Sequence, residues 1–131
     1  MKKDGILNEH INRIIARLGH TDTIAIGDCG LPIPNGPERI DISLIRGIPS
    51  FKDTVSAISS EMVIERVYIA QETKTKNRDC YEFLIDHFQG LEVIEIPHED
   101  LKKRLQSARA VIRTGEATPY SNVILMAGVD F

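Results

Sequence analysis

Cysteine is scarce in this chain: Cys29 and Cys80 are the only two in 131 residues. Their spacing makes neither a disulfide framework nor a pair of metal ligands, and they read as free thiols in a reducing cytoplasm. Tryptophan is absent, and basic charge is not in excess. The formal net charge is −3, without the clustered cationic footprint that a nucleic acid or an anionic membrane requires. Long apolar runs are missing too. The longest, Val123 to Val129, is far too short to span a bilayer. After Lys2 and Lys3 the short Gly5-Ile6-Leu7 gives way at once to Asn8-Glu9-His10, so no apolar h-region of a signal peptide is expected. There is no Gly-x-x-x-x-Gly-Lys phosphate loop and no Gly-x-Gly-x-x-Gly after a strand. No serine sits in a nucleophile elbow, and the four histidines lack metal-binding spacing.

What is present is a single domain over residues 1–131, long enough to bury about two thirds of its unfolded surface. Asn8 can cap a helix whose Ile11, Ile14, Ile15 and Leu18 fall on one face. Gly19 follows it, where a left-handed glycine would stop the helix. Thr23 to Gly27 reads as a buried strand, and Asp28-Cys29-Gly30-Leu31-Pro32 turns the chain. Ile40 to Leu44 alternates and predicts a half-buried strand. Ser50 with Asp53 resembles a capping box for a helix carrying Phe51, Val55, Ile58 and Met62. Further strands are expected at 66–70, 91–96, 108–113 and 122–127. Helices are expected at about 77–89, with Cys80, Phe83, Leu84, His87 and Phe88 inward, and at 99–106. Gln71 to Lys74 carries no assignment. Strands alternating with helices predict a three-layer α/β domain with a mainly parallel central sheet and helices on both faces.

Polar candidates cluster at strand ends. Asp28 ends the first strand, where open α/β sheets bind ligands, and His20 stands on the turn before it. The plain alternative is that Asp28 caps a turn and His20 is a surface histidine. Cys29 is explained better as a small packing residue than as a nucleophile beside His20. His98 ends another strand at a helix start, with Lys102 four residues on along the same helical face. Tyr120 and Asn122 bracket the start of the last strand; Tyr120 is equally able to pack. His10 and His87 read as structural. Imidazole, carboxylate, phenol and amide groups without a metal or cofactor cradle suit a small, neutral, hydroxyl-rich ligand such as a sugar.

Several stretches taken together resemble the D-ribose pyranase family, whose relatives include the fucose mutarotases. They are Leu18-Gly19-His20-Thr21-Asp22, Asp28 to Pro34, Gly47-Ile48-Pro49-Ser50-Phe51, Val111 to Glu116, Thr118-Pro119-Tyr120-Ser121-Asn122 and Ala127-Gly128-Val129. The resemblance spans essentially the full length. It implies a cytoplasmic, cofactor-free enzyme that interconverts the β-pyranose and β-furanose forms of D-ribose. It implies His20 as proton donor, with Asp28, His98, Tyr120, Ser121 and Asn122 binding the sugar and Lys102 a lesser contact. It also implies a ring-shaped homo-oligomer, commonly a decamer, with the sugar cleft near a subunit boundary. Cys29 and Ser121 stand where the family usually has alanine; both are small and leave the substrate class intact. Two rivals remain at this point: a mutarotase exchanging anomers by the same ring opening, and a non-catalytic sugar-binding protein.

Overall fold

The computed structural model describes residues 1–131. Six strands form one sheet in the order β2-β5-β1-β6-β3-β4. They are β1 (Thr23–Gly27), β2 (Glu38–Asp41), β3 (Ile64–Ala70), β4 (Glu92–Ile96), β5 (Ala110–Arg113) and β6 (Val123–Ala127). The β2–β5, β5–β1 and β3–β4 pairings are parallel, and only β6 runs against its two neighbours. The helices are α1 (Glu9–Arg17), α2 (Phe51–Ser59), α3 (Gln71–Lys76), α4 (Arg78–His87) and α5 (His98–Arg104), the last followed by a 3₁₀ turn at Leu105–Ser107. No helix is long and apolar enough to cross a membrane.

The period-two alternation of the strands sorts their side chains to two faces. Ile24, Ile26, Val67, Ile69, Ile112, Val123 and Leu125 point to the layer built by α1, α2 and α4, where Ile11, Ile14, Phe51, Val55, Ile58, Leu84 and Phe88 meet them. Ala25, Tyr68, Val111 and Ile124 face the other way, onto Leu31, Leu101 and Leu105. The expected three-layer α/β domain is therefore what the chain forms. Each fully buried Leu or Ile contributes about 1.5–3 kcal/mol, so both layers stabilise the sheet.

The two caps form as expected. Asn8 Oδ1 accepts from the Ile11 N–H at 3.0 Å, and Ser50 Oγ accepts from the Asp53 N–H at 3.1 Å. Four expectations need correction. Gly19 does not take the left-handed conformation; Thr21 does, at φ 71°, because the Asp22 carboxylate accepts from the Gly19 N–H at 2.8 Å and closes the turn without it. The second strand lies at Glu38–Asp41, not Ile40 to Leu44. It ends where its partner β5 ends at Arg113: the Ile42 N–H still donates to the Arg113 carbonyl at 3.0 Å, and beyond it the ladder has no partner strand. Gln71–Lys76, unassigned from sequence, is the helix α3. His87 is exposed rather than inward, its Nε2 against Ser59 Oγ at 2.7 Å.

Candidate functional site

The antiparallel direction of β6 decides which residues meet. β6 enters the sheet at the edge where β1 and β3 leave it, because Ile26 lies opposite Val123 and Ile69 opposite the same residue. Asn122, one residue earlier, therefore sits beside the end of β1. Its Oδ1 accepts the Asp28 N–H at 3.1 Å. A β-carbon on Gly27 would lie 2.9 Å from that oxygen and 2.4 Å from Leu31 Cδ2, so glycine is what lets the buried amide reach the Asp28 backbone. The Asp28 Oδ1 accepts the Gly30 N–H at 2.9 Å and fixes the turn beyond.

His98 arrives at the same edge from β4, as the first residue of α5. Its ring stands edge-on to Tyr120, centroids 5.0 Å apart at 87°. Its Nδ1 is buried and has no hydrogen-bond partner in the chain, an unusual state for a buried nitrogen that a sugar hydroxyl or a water would relieve. Burial pushes the Asp28 carboxyl above its ordinary value, against the opposing pull of the Gly30 N–H, the Asn122 amide and the His98 ring. Asp28, His98 and Tyr120 thus come to one edge of the sheet, with the Asn122 amide buried beneath the Asp28 backbone. No group of three or more metal-ligating side chains assembles in the fold.

Two further sequence candidates already have partners within the chain. The Ser121 hydroxyl is buried, 2.7 Å from Thr118 Oγ1 and 3.1 Å from the donating Asn77 amide. Lys102 pairs with Glu99 at 2.8 Å along α5. Cys29 is half-buried and its carbonyl accepts from Arg113 Nε at 3.0 Å; Cys80 is buried, which pushes its thiol up to about 11.

His20 is not with the others. It lies before β1, while Asp28 lies after it, and a five-residue strand separates the two by about 16 Å. Its neighbours are those of the opposite sheet edge. Nε2 is 2.9 Å from Glu65 Oε2, near the start of β3, and an ionised carboxylate can only accept, so Nε2 carries the proton. The turn that holds it is tightly tied. The Thr21 N–H donates to the Ala127 carbonyl at 2.9 Å, and Arg109 Nε donates to Asp22 at 2.9 Å. The larger clefts of the single chain do not join these edges. One, of about 660 Å³, lies between α1, Asp22 and Arg109; another, of about 280 Å³, lies between Cys29, Arg113 and the 43–46 segment. A strand with the imidazole before it and the carboxylate after it holds the two a full strand length apart within one chain.

Comparison with known proteins places these edges in context. The model of the RbsD / FucU transport protein family matches residues 1–130. D-ribose pyranases from Thermoanaerobacter sp. (strain X514) and Geobacillus thermodenitrificans (strain NG80-2) are 53% and 50% identical over 131 residues, covering all of this chain and 100% and 99% of theirs. The solved structure of Bacillus subtilis RbsD complexed with D-ribose is 50% identical, covers both chains fully and superposes with a TM-score of 0.97. The fucose mutarotase of Streptococcus pneumoniae, solved with L-fucose, is 19% identical with a TM-score of 0.78 over 95% of each chain; that likeness is one of fold.

Proposed function

The chain belongs to the RbsD / FucU family, and from that premise we propose that it is a D-ribose pyranase: an isomerase that opens and recloses the ring of D-ribose. The observation that carries this reading is the full-length likeness, at 50% identity, to a protein solved with D-ribose. The chemistry at the strand ends agrees with it.

Pyranose and furanose differ in which hydroxyl closes on C1. Opening breaks the bond from C1 to the ring oxygen. That oxygen takes a proton while the anomeric hydroxyl gives one up and becomes the aldehyde. Reclosure adds a different hydroxyl to C1 and reverses both transfers. His20, as imidazolium, donates the proton to the ring oxygen. With its Nε2–H held by Glu65, Nδ1 is the atom left to face the sugar. Asp28 and Asn122 hold sugar hydroxyls, and Tyr120 and His98 complete the pocket. The unpartnered Nδ1 of His98 makes it the first candidate for the complementary base. One positioned acid or base is worth about 10²–10⁴-fold, enough for a ring opening that already proceeds unaided.

His20 and Asp28 occupy opposite ends of the sheet, so His20 acts on the sugar held by another copy of the chain. A contact that joins one end of a subunit to the other end of its neighbour is heterologous, and such contacts form rings where the rotation closes. Leu44 and Ile45, 76% and 62% exposed on the bend after β2, are large apolar side chains that such a contact would cover. This arrangement supports a homo-oligomer built on rings, and the decamer is the size that the family resemblance implies. We place the reaction in the cytoplasm and without a cofactor, as the family resemblance implies.

Proton NMR saturation transfer between the β-pyranose and β-furanose anomeric signals tests the function. Transfer should grow in proportion to catalytic amounts of protein. Ribose binding without faster exchange would mark a sugar sensor instead.

A further inference from the structure

Tyr120 has φ 56°, a left-handed backbone that a side chain disfavours and that persists only where the surroundings enforce it. Two side chains from one short stretch supply that enforcement, and a third from the same stretch holds His98. Thr73, fully buried on α3, donates its hydroxyl to the Tyr120 carbonyl at 2.9 Å. Asn77, between α3 and α4, donates to the Pro119 carbonyl at 2.8 Å while its Oδ1 caps α4 by accepting from the Cys80 N–H at 3.2 Å. Glu72, on α3, accepts the backbone N–H of His98 with both carboxylate oxygens at 3.1 Å. Pro97 gives α5 no side-chain cap, so Glu72 caps that helix from outside.

We propose that Glu72, Thr73 and Asn77 are positioning residues for the sugar-binding pair His98 and Tyr120, setting the spacing of the two rings and hence the fit to ribose. The proposal rests on the reading of that edge as the ribose site. None of the three needs to touch the sugar. Their backbone contacts hold two loops, from different strands, so that the rings meet edge-on at 5.0 Å. A hydroxylated ligand demands such precision, because each directional hydrogen bond weakens steeply with misalignment. The segment that carries these residues has no apolar periodicity to bury, and its use is in what it holds.

Ribose titration calorimetry, exchange kinetics and thermal melting on Thr73→Val, Thr73→Ser and Tyr120→Ala test this. Thr73→Val keeps the shape and removes the donor. It should raise the ribose Kd and KM about tenfold with kcat within about twofold of wild type, since an unpaired carbonyl then lets Tyr120 relax. Thr73→Ser restores the donor and should bring KM back to within about twofold. A Thr73→Val protein with wild-type KM, or a Thr73→Ser protein as impaired as Thr73→Val, overturns the proposal. Tyr120→Ala separates the two layers of argument. If it too binds ribose normally, the site itself is misplaced and the proposal falls with it; if it weakens binding while Thr73→Val does not, the proposal alone falls. Should Thr73→Val fail to fold, Glu72→Ala, at a half-buried position, carries the test through His98. It should raise KM severalfold, and an unchanged KM overturns the proposal.

Discussion

His20 donates its Nε2–H to Oε2 of Glu65 across 2.9 Å, and the pair stands at the opposite sheet edge from Asp28. A carboxylate that fixes the imidazole's orientation leaves the other ring nitrogen free to work, the arrangement used wherever a histidine is held for proton transfer. His20→Ala should lower the rate of ribose ring exchange by about 10²–10⁴ with a much smaller change in ribose Kd. Wild-type exchange per folded molecule would reduce His20 to a corner residue. Glu65→Gln, which keeps an acceptor but not the charge, should lose less than His20→Ala in the same assay.

Asp28 gives a stability and a binding effect of opposite sign. Burial holds its folded pKa above the ordinary 3.8, so the folded chain keeps a proton that the unfolded chain releases. Stability therefore falls as pH rises from 3.8 through the raised value and is flat above it. Asp28→Asn should melt higher than wild type at pH 7, with the gap closing as pH drops below 3.8. Ribose affinity should fall about ten- to a hundredfold, the worth of a charge-assisted bond of about 1.5–3 kcal/mol. Melting curves across pH with calorimetry on the same samples check both halves. A variant that melts lower at neutral pH would contradict the burial argument.

Asp22 should behave in the reverse sense. The Gly19 N–H and the Arg109 guanidinium hold its carboxyl below the ordinary value, so its contribution is present above pH 3.8 and is lost as pH falls through the folded value. Asp22→Asn should lower the melting temperature at pH 7 and approach wild type in strong acid. Because Asp22 closes the turn bearing His20, exchange activity should fall as well.

Gly27→Ala tests the close approach at the carboxyl end of β1. The added methyl meets Leu31 Cδ2 at 2.4 Å and Asn122 Oδ1 at 2.9 Å. Overpacking of this kind costs about 1–3 kcal/mol, read as a lower melting temperature, and displacing Asn122 should weaken ribose binding. A variant with unchanged affinity would place Asn122 outside the site.

Much of the fold is legible because the strands alternate and the helices carry caps. Ile24 and Ile26 against Ala25 show which face each residue takes, and Asn8 and Ser50 mark helix starts that the structure reproduces. Features set by distant partners are not legible. Thr21 in place of Gly19 as the left-handed residue follows from the Asp22 carboxylate and the β6 carbonyl of Ala127. α3 lacks an apolar stripe and is held by what its side chains grip. The candidate site divides in the same way. Asp28 and His98 share an edge because β1 and β4 run the same way, whereas Tyr120 and Asn122 join them only because β6 is antiparallel, a property of pairing that no local pattern encodes. His20 stands at the other edge because it precedes β1 while Asp28 follows it.

The separation of His20 from Asp28 makes the central claim directly measurable by subunit mixing. His20→Ala and Asp28→Ala chains, each deficient alone, are co-expressed with different tags and the doubly tagged assemblies are purified. If each site takes its acid from one chain and its sugar contacts from the next, equal mixing leaves about a quarter of the sites intact in rings with heterologous contacts. Saturation transfer should then recover to about a quarter of the wild-type exchange rate. Mixed assemblies no more active than the average of the two parents would contradict the account, because acid and carboxylate would then serve one sugar within a single chain or not act together at all.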